Sequence, residues 1–257
     1  MIFELAKKCF VDLHVFSNLS IGSSSVDEIA QMAVELGYSS IGLADFNMNN
    51  LRFASSLKEK FSSYGLDLIT RVDLHADSLG ELKRLLRFFR RKVEVISVFC
   101  DDLQIARLAA RDRRVDLLNF DSMSWRENFF DLAEAKLALN GGSALEINLT
   151  DFIGKADVGS MIKMLRVLSE NVKLARRLGV PIIFSSGARN ILEMRAPRDL
   201  AAIGSLFNLT EYECRASVSS VPMEIVSRNR AKLSESFILP GVWLVKEGGS
   251  NGKVEEK

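Results

Sequence analysis

Two sets of side chains in this sequence are of types that do chemistry. The first comprises Asp12, His14, Asp45, Asp73, His75, Asp101, Asp121 and Asn148, with Ser185, Ser186 and Arg189. Carboxylates and imidazoles brought together can hold divalent metal ions and activate water for hydrolysis. The same aspartates stand where helices need an N-cap, and capping is the simpler account of several of them. The second set is cationic. Arg189, Arg195 and Arg198 follow the apolar run Val180 to Phe184, and Pro197 suits the first position of a helix. The motif Arg195-Ala-Pro-Arg-Asp199 therefore offers guanidinium groups beside free backbone N–H donors, a phosphate site unless the arginines are plain surface charge.

Further cations fall in three groups. Lys83, Arg84, Arg87, Arg90 and Arg91 share the outward side of an amphipathic helix, with Arg84, Arg87 and Arg91 in one stripe. Arg107, Arg111, Arg113 and Arg114 form a second group, and Arg228, Arg230 and Lys232 a third. Charge runs usually mark a solvated face, and the third group also complements its helix dipole. A stripe with few interleaved acids nevertheless suits a phosphate backbone.

Strands and helices that alternate must position these groups. Short apolar runs at Cys9 to Phe16, Ser39 to Ala44, Leu66 to Leu74, Val93 to Phe99, Val115 to Phe120, Ala144 to Leu149 and Val180 to Phe184 read as buried strands. Capping boxes at Ser25-Val-Asp-Glu28 and Ser78-Leu-Gly-Glu81 open two of the helices between them. Others are expected from about Asn50 to Tyr64, after Asp101 or Asp102, from Leu132 to Leu139, from Met161 to Ala175, from Pro197 to about Phe207 and from Ser220 to about Lys232. A weaker extended piece is expected near Glu213 to Val218. This alternation predicts a TIM-barrel-like (β/α) barrel of seven or eight parallel strands. An open dinucleotide-binding sheet is disfavoured, because no Gly-x-Gly-x-x-Gly follows a strand. Residues 1–240 form the expected single domain, and residues 241–257 a flexible tail.

Composition narrows the function classes. The chain of 257 residues is 47% hydrophobic and 26% charged, with a formal net charge of +1, so any nucleic-acid surface must be local. No segment is apolar enough for a secretion signal or a membrane span. Cys9, Cys100 and Cys214 are odd in number and far apart, as expected of reduced thiols in a cytoplasmic protein. Ser185 and Ser186 lack a credible triad, and Trp125 and Trp243 could stack on bases but suit partly buried structure equally well.

The segment Val11-Asp-Leu-His-Val-Phe16, with Gly42-Leu-Ala-Asp-Phe46, resembles the PHP family of metallophosphoesterases. In that family the first motif is His-x-His and the second ends Asp-His. Here Phe16 and Phe46 replace two of the histidines, and the whole chain has only two, His14 and His75. A hydrolytic metal cluster needs several imidazoles, so the site reads as dismantled and His14 as a hydrogen-bonded core histidine.

Phe184-Ser-Ser-Gly-Ala188, Arg195-Ala-Pro-Arg-Asp-Leu200, Gly204 and Arg215-Ala-Ser-Val-Ser219 with Pro222 and Glu224 are similar to archaeal ribonuclease P protein component 3. Asp101-Asp-Leu103 with Val115-Asp-Leu117 is a weaker match. The likeness runs from about Phe10 to Lys232 and is most specific in the last quarter. It implies a TIM-barrel-like fold related to the PHP proteins, and a subunit of the ribonucleoprotein that removes the 5′ leader of precursor tRNA. It further implies that the ribonuclease P RNA binds the catalytic magnesium (Mg) ions, so that this chain needs no cofactor and no catalytic or metal-binding residues. Expected partners are that RNA, precursor tRNA through the complex, a small RRM-like protein subunit and other ribonuclease P proteins, with no membrane. The RNA contacts are expected at Arg189, Arg195, Arg198, Arg84, Arg87, Arg91, Arg228 and Arg230. The alternative is a free-standing PHP-like phosphoesterase using Asp12, His14, Asp45 and Asp73 on metal; a third is a scaffold binding only proteins.

Overall fold

A computed structural model describes residues 9–120, 128–152, 158–234, 236–239 and 242–243. In chain order it runs β1 (Val11–Val15), α1 (Val26–Leu36), β2 (Ser40–Leu43), α2 (Ala54–Ser63), β3 (Asp67–Leu74), α3 (Leu79–Phe89), β4 (Val95–Phe99) and α4 (Leu103–Arg111). It continues with β5 (Leu117–Asn119), α5 (Leu132–Gly141), β6 (Ala144–Asn148), α6 (Val158–Leu178), β7 (Ile182–Ser185), α7 (Pro197–Ala202), α8 (Glu211–Ala216) and α9 (Ser220–Leu233). A separate antiparallel pair, β8 (Phe237–Leu239) and β9 (Val242–Trp243), follows. Trp125 and Asp121 lie outside the described residues, as does the tail expected to be flexible over 241–257, apart from Val242 and Trp243, which pair in β9.

The sheet has seven strands in the order β1-β2-β3-β4-β5-β6-β7, all parallel. Each strand is short and largely buried on both faces, as helix-flanked parallel strands must be. The ends of the sheet meet where the chain leaves β7: the Phe16 N–H donates to the Ala188 carbonyl at 2.8 Å, and Val15 bridges Ala188 in parallel register. The seven strands thus form a nearly closed barrel whose seam is joined by this isolated bridge, and the pair β8–β9 stays outside it. Gly187 permits this closure. Its φ is 66°, and a side chain there would press on Thr150 Oγ1, 2.4 Å from where a Cβ would sit.

Successive residues of a strand face opposite ways, except at the irregularity in β1 between Asp12 and Val15 that brings both Leu13 and His14 inward, and this sorts the interior into layers. At the N-terminal ends of the strands an apolar layer holds Val11, Leu13, Ile69, Val95, Leu117, Ala144 and Ile183, and Ile225 and Val226 of α9 seal it from below. Two residues further along β3, β5, β6 and β7 lie Arg71, Asn119, Glu146 and Ser185, all buried and all polar. The larger core lies between strands and helices.

The helices obey their caps. Ser25 and Ser78 accept from the N–H groups of Glu28 and Glu81, but Glu81 turns its carboxylate to the Asp77 N–H at 3.2 Å, so the second expected box is only half formed; Asp102, rather than Asp101, caps α4. The extended piece expected near Glu213 is instead α8. Thr210-Glu-Tyr-Glu213 is a capping box like that of Ser25 and Glu28, with each side chain bonding the other's backbone N–H, and that local signal overrides the weak apolar pattern. The cationic stripe on α3 is also shorter than expected. The helix ends at Phe89, Arg91 lies beyond it, and Arg90 turns inward to Asp116 Oδ2 at 2.8 Å.

Candidate functional site

In β/α barrels the loops after the strands form the working face. Here they surround a cavity of ≈ 430 Å³ lined by His14, Phe16, Asp45, Phe46, Asp73, His75 and Arg189 among others. β1 supplies Asp12 and His14, the turn after β2 Asp45, β3 Arg71 and Asp73, β6 Glu146 and Asn148, and β7 Ser185.

Arg71 sits at the centre with no solvent exposure. Its Nη2 donates to Glu146 Oε2 at 2.7 Å, its Nε to Asp73 Oδ1 at 2.6 Å and its Nη1 to the Leu13 carbonyl at 3.2 Å. Glu146 also accepts from Asn119 Nδ2 and Ser185 Oγ, each at 2.7 Å. One guanidinium therefore ties β1, β3 and β6 together across the barrel, in the forked geometry that arginine favours for carboxylates. Burial alone would raise both acids, but Arg71 with His14 holds Asp73 well below the usual carboxylate range and lowers Glu146 too.

His14 completes the network. Asn148 donates through Nδ2 to Asn119 Oδ1 at 3.1 Å, which leaves its Oδ1 as acceptor for His14 Nδ1 at 2.7 Å. His14 Nε2 faces Asp73 Oδ2 at 2.8 Å, an ionic contact rather than an aligned hydrogen bond. A proton on both ring nitrogens satisfies these neighbours. Burial and Arg71 oppose that charge, but Asp73 and Glu146 outweigh them and raise His14 above the ordinary imidazole range. The fold therefore holds the proton more tightly than the unfolded chain does. His14 is expected to support stability fully below about pH 6.5, its unfolded value, and to lose that contribution as pH rises through its folded value. Denaturation midpoints of the chain and of His14→Gln at about pH 6 and about pH 9 check this. The unsubstituted chain should lose more stability across the interval, and equal slopes would contradict the assignment.

The other acids are engaged differently. Asp45 accepts from the Ser17 N–H at 2.9 Å and from the hydroxyls of Ser17 and Ser20, which fold the loop after β1 over it. Asp12 accepts from the Ser186 N–H at 3.0 Å and the His14 N–H at 3.1 Å. Burial raises both carboxyls toward their protonated forms despite these bonds. His75 stacks on Phe99 with ring centroids 4.0 Å apart.

These residues do not fit a PHP-type metal cluster. Phe46 is buried at one imidazole position, and Phe16 packs its ring 4.9 Å from that of His14 at the other. The remaining acids are neutralised by Arg71 or by hydroxyl and amide donors. Among the described residues no three His, Cys, Asp or Glu side chains are grouped so that they could hold a metal ion. The expected hydrogen-bonded core histidine is found at position 14, whereas the centre of the network, Arg71 with Glu146, escaped the sequence analysis. The available signal was charge inside two largely apolar strand runs, Arg71 and Asp73 within Asp67 to Leu74 and Glu146 within Ala144 to Asn148.

The cations expected to touch RNA fall in separate places. Arg189 is exposed and lines the mouth. Arg195 spends its Nη1 on the Leu192 and Met194 carbonyls at 2.6 and 2.8 Å, while Arg198 is exposed on α7, which has only six residues. Arg84 pairs with Glu81 at 3.3 Å, and Arg87 and Arg91 are exposed. Arg228 and Arg230 lie at the opposite end of the barrel, the first on Asp116 and the second forked onto Asp67 at 2.8 Å.

Comparison with known proteins agrees with this geometry. Ribonuclease P protein component 3 of Methanosarcina mazei is 28% identical over 227 residues, covering 88% of this chain and 89% of that protein. A chain of an archaeal ribonuclease P solved with mature tRNA by cryo-electron microscopy superposes with a TM-score of 0.78 at 22% identity, over 93% of this chain and all of that one. A histidinol phosphate phosphatase from Lactococcus lactis, crystallised with zinc, L-histidinol and phosphate, shares the fold at a TM-score of 0.59 and 12% identity, over 79% of this chain and 93% of its own. The family model for RNase P subunit p30 matches residues 9–234, and the chain belongs to that family.

Proposed function

We propose that this chain acts as a non-catalytic protein subunit of ribonuclease P in the cytoplasm, where the complex removes the 5′ leader of precursor tRNA. The observation that carries the non-catalytic role is the Arg71–Glu146–Asp73–His14 network. The place where a barrel hydrolase keeps reactive groups is filled by charges that satisfy one another. A nucleophile or general base must have free capacity toward a substrate, and these groups have little. Phosphodiester hydrolysis and its magnesium ions then belong to the RNA subunit. The protein's part is to bind that RNA and hold its active fold, alongside a small RRM-like subunit and other ribonuclease P proteins. Of the arginines expected to touch that RNA, Arg91, just past the end of α3, is exposed for that purpose. Among the described residues no helix is long and apolar enough to cross a membrane.

The non-catalytic role is tested on the purified chain alone, with manganese or zinc added, against a chromogenic phosphodiester. Turnover is expected to stay at the buffer rate. Turnover that appears with metal and vanishes on chelation would instead support a free-standing phosphoesterase.

A further inference from the structure

The net charge of +1 conceals an uneven distribution of charge along the barrel axis. The loops after β2, β3 and β4 carry Asp45, Asp77, Asp101 and Asp102. The opposite end is cationic, and the cations come from distant parts of the sequence. α3 and α4 run back against the strands and deliver Arg90, Arg91, Lys92, Arg113 and Arg114 to that end. α9, lying across it as a plug, adds Arg228, Arg230 and Lys232.

Hydrogen bonds fix this convergence. Arg90 donates to the Arg114 and Glu94 carbonyls at 3.0 and 3.3 Å, just before β5 and β4, and pairs with Asp116. Arg228 reaches the same Asp116 at 3.2 Å and the Gly142 carbonyl, before β6, at 3.1 Å. Arg230 pairs with Asp67, the first residue of β3, and with Glu94, which Lys58 also holds at 2.8 Å. The local acids are thus already committed: Asp67, Glu94 and Asp116 to these partners, and Asp112 to Arg114 at 2.6 Å. Among the described residues Arg91, Arg113 and Lys232 have no ion pair, and Lys92 has only the face of Phe88. Half-burial, followed by the positive charges of Arg228, Arg90 and Arg113, draws Lys232 below the ordinary ammonium range. Lys58, Lys92 and Arg230 also line a shallow cavity of ≈ 370 Å³ at this end.

We propose that the end of the barrel opposite the mouth, where α9 meets the C-terminal ends of α3 and α4, is the surface on which this chain binds the phosphate backbone of RNA. Surplus fixed cations with their local acids already neutralised are what a polyanion recognises, each phosphate contact releasing counterions. Arg90, Arg228 and Arg230 hold the surface in shape through the pairs above. Arg91, Lys92, Arg113 and Lys232 make the contacts. The exposed Asp77, Asp101 and Asp102 in the loops after β3 and β4 repel phosphate on that side, which turns the RNA to the other end. This surface rests on the ribonuclease P reading above and adds which face of the subunit meets the RNA.

The test uses tagged chain recovered with its complex from cells. Arg91→Glu/Arg113→Glu is compared with a mouth variant, Arg189→Glu/Arg198→Glu, in which Arg189 lines the mouth and Arg198 is exposed on α7. All four side chains are exposed, so both variants should fold with unchanged Tm. The salt needed to elute the ribonuclease P RNA and the salt dependence of RNA affinity are measured. The first variant is expected to weaken affinity at least about tenfold at physiological salt and to lower the salt slope by about two, with the mouth variant close to the unsubstituted chain. Unchanged affinity and slope in the first variant would overturn the proposal, as would a larger loss in the mouth variant. Retained RNA with loss of a protein subunit would also overturn it, assigning the surface to protein. Failure of the underlying reading looks different: the unsubstituted chain would then recover neither ribonuclease P RNA nor leader-cleaving activity.

Discussion

Replacing Arg71 with methionine is expected to cost about 3–5 kcal/mol of folding free energy, the range for removing one partner of a buried ion pair. The side chain is fully buried, and the change would leave Asp73 and Glu146 facing each other and His14 with no guanidinium between them. Methionine fills much of the volume, so the loss is electrostatic rather than a cavity effect. Arg71→Lys should recover only part of it, because an ammonium cannot fork onto Glu146 while also reaching Asp73 and the Leu13 carbonyl. Removing the acids together, in Arg71→Met/Asp73→Asn/Glu146→Gln, should restore most of the stability. Urea denaturation of the four proteins decides the matter. A loss below about 1 kcal/mol in Arg71→Met would mean that water or rearrangement compensates the acids and that the network is not the keystone of the interior.

The second large effect is expected at Gly42 in β2. A Cβ there would sit 2.4 Å from the Leu13 carbonyl oxygen and 2.8 Å from its carbon and Cα, all backbone atoms of β1. No rotamer relieves a clash with a neighbouring strand, so β1 and β2 must move apart. Overpacking of this kind costs about 1–3 kcal/mol. The Leu13 carbonyl is also an acceptor for Arg71, so the shift reaches the polar layer. Gly42→Ala should therefore lower Tm and flatten the His14-dependent loss of stability with pH. A Gly42→Ala protein with unchanged Tm would show that β1 has slack at this point. The two positions share that carbonyl and should couple. The double variant Gly42→Ala/Arg71→Met is expected to lose less than the sum of the single losses.

Much of the barrel was legible because each strand is a short apolar run and most helices announce their caps. Ser25, Ser78 and Asp102 mark helix starts by residue type alone, and the seven runs expected as strands are the seven of the barrel. The sequence leaves seven or eight strands open, since the seam is made where Val15 and Phe16 meet Ala188, residues far apart in the chain. α8 was missed because six residues give too little periodicity, and its capping box Thr210-Glu-Tyr-Glu213 was the better signal. At the mouth the sequence exposes the lost histidines through Phe16 and Phe46. It does not expose what replaced them. Arg71 and Glu146 are residues of β3 and β6, and only the barrel's curvature brings them to a forked contact. The cations show the same limit. Arg90, Arg113 and Arg228 read as separate surface groups, and their convergence follows from antiparallel helices ending at the same face as α9.

The most direct test of the whole account is cleavage of precursor tRNA by the complex recovered on this chain, assayed before and after nuclease digestion of the RNA in that complex. Removal of the 5′ leader before digestion and none after is the predicted result, placing the chain in ribonuclease P and the chemistry in RNA. Cleavage that survives digestion, or no cleavage in either sample, would contradict it.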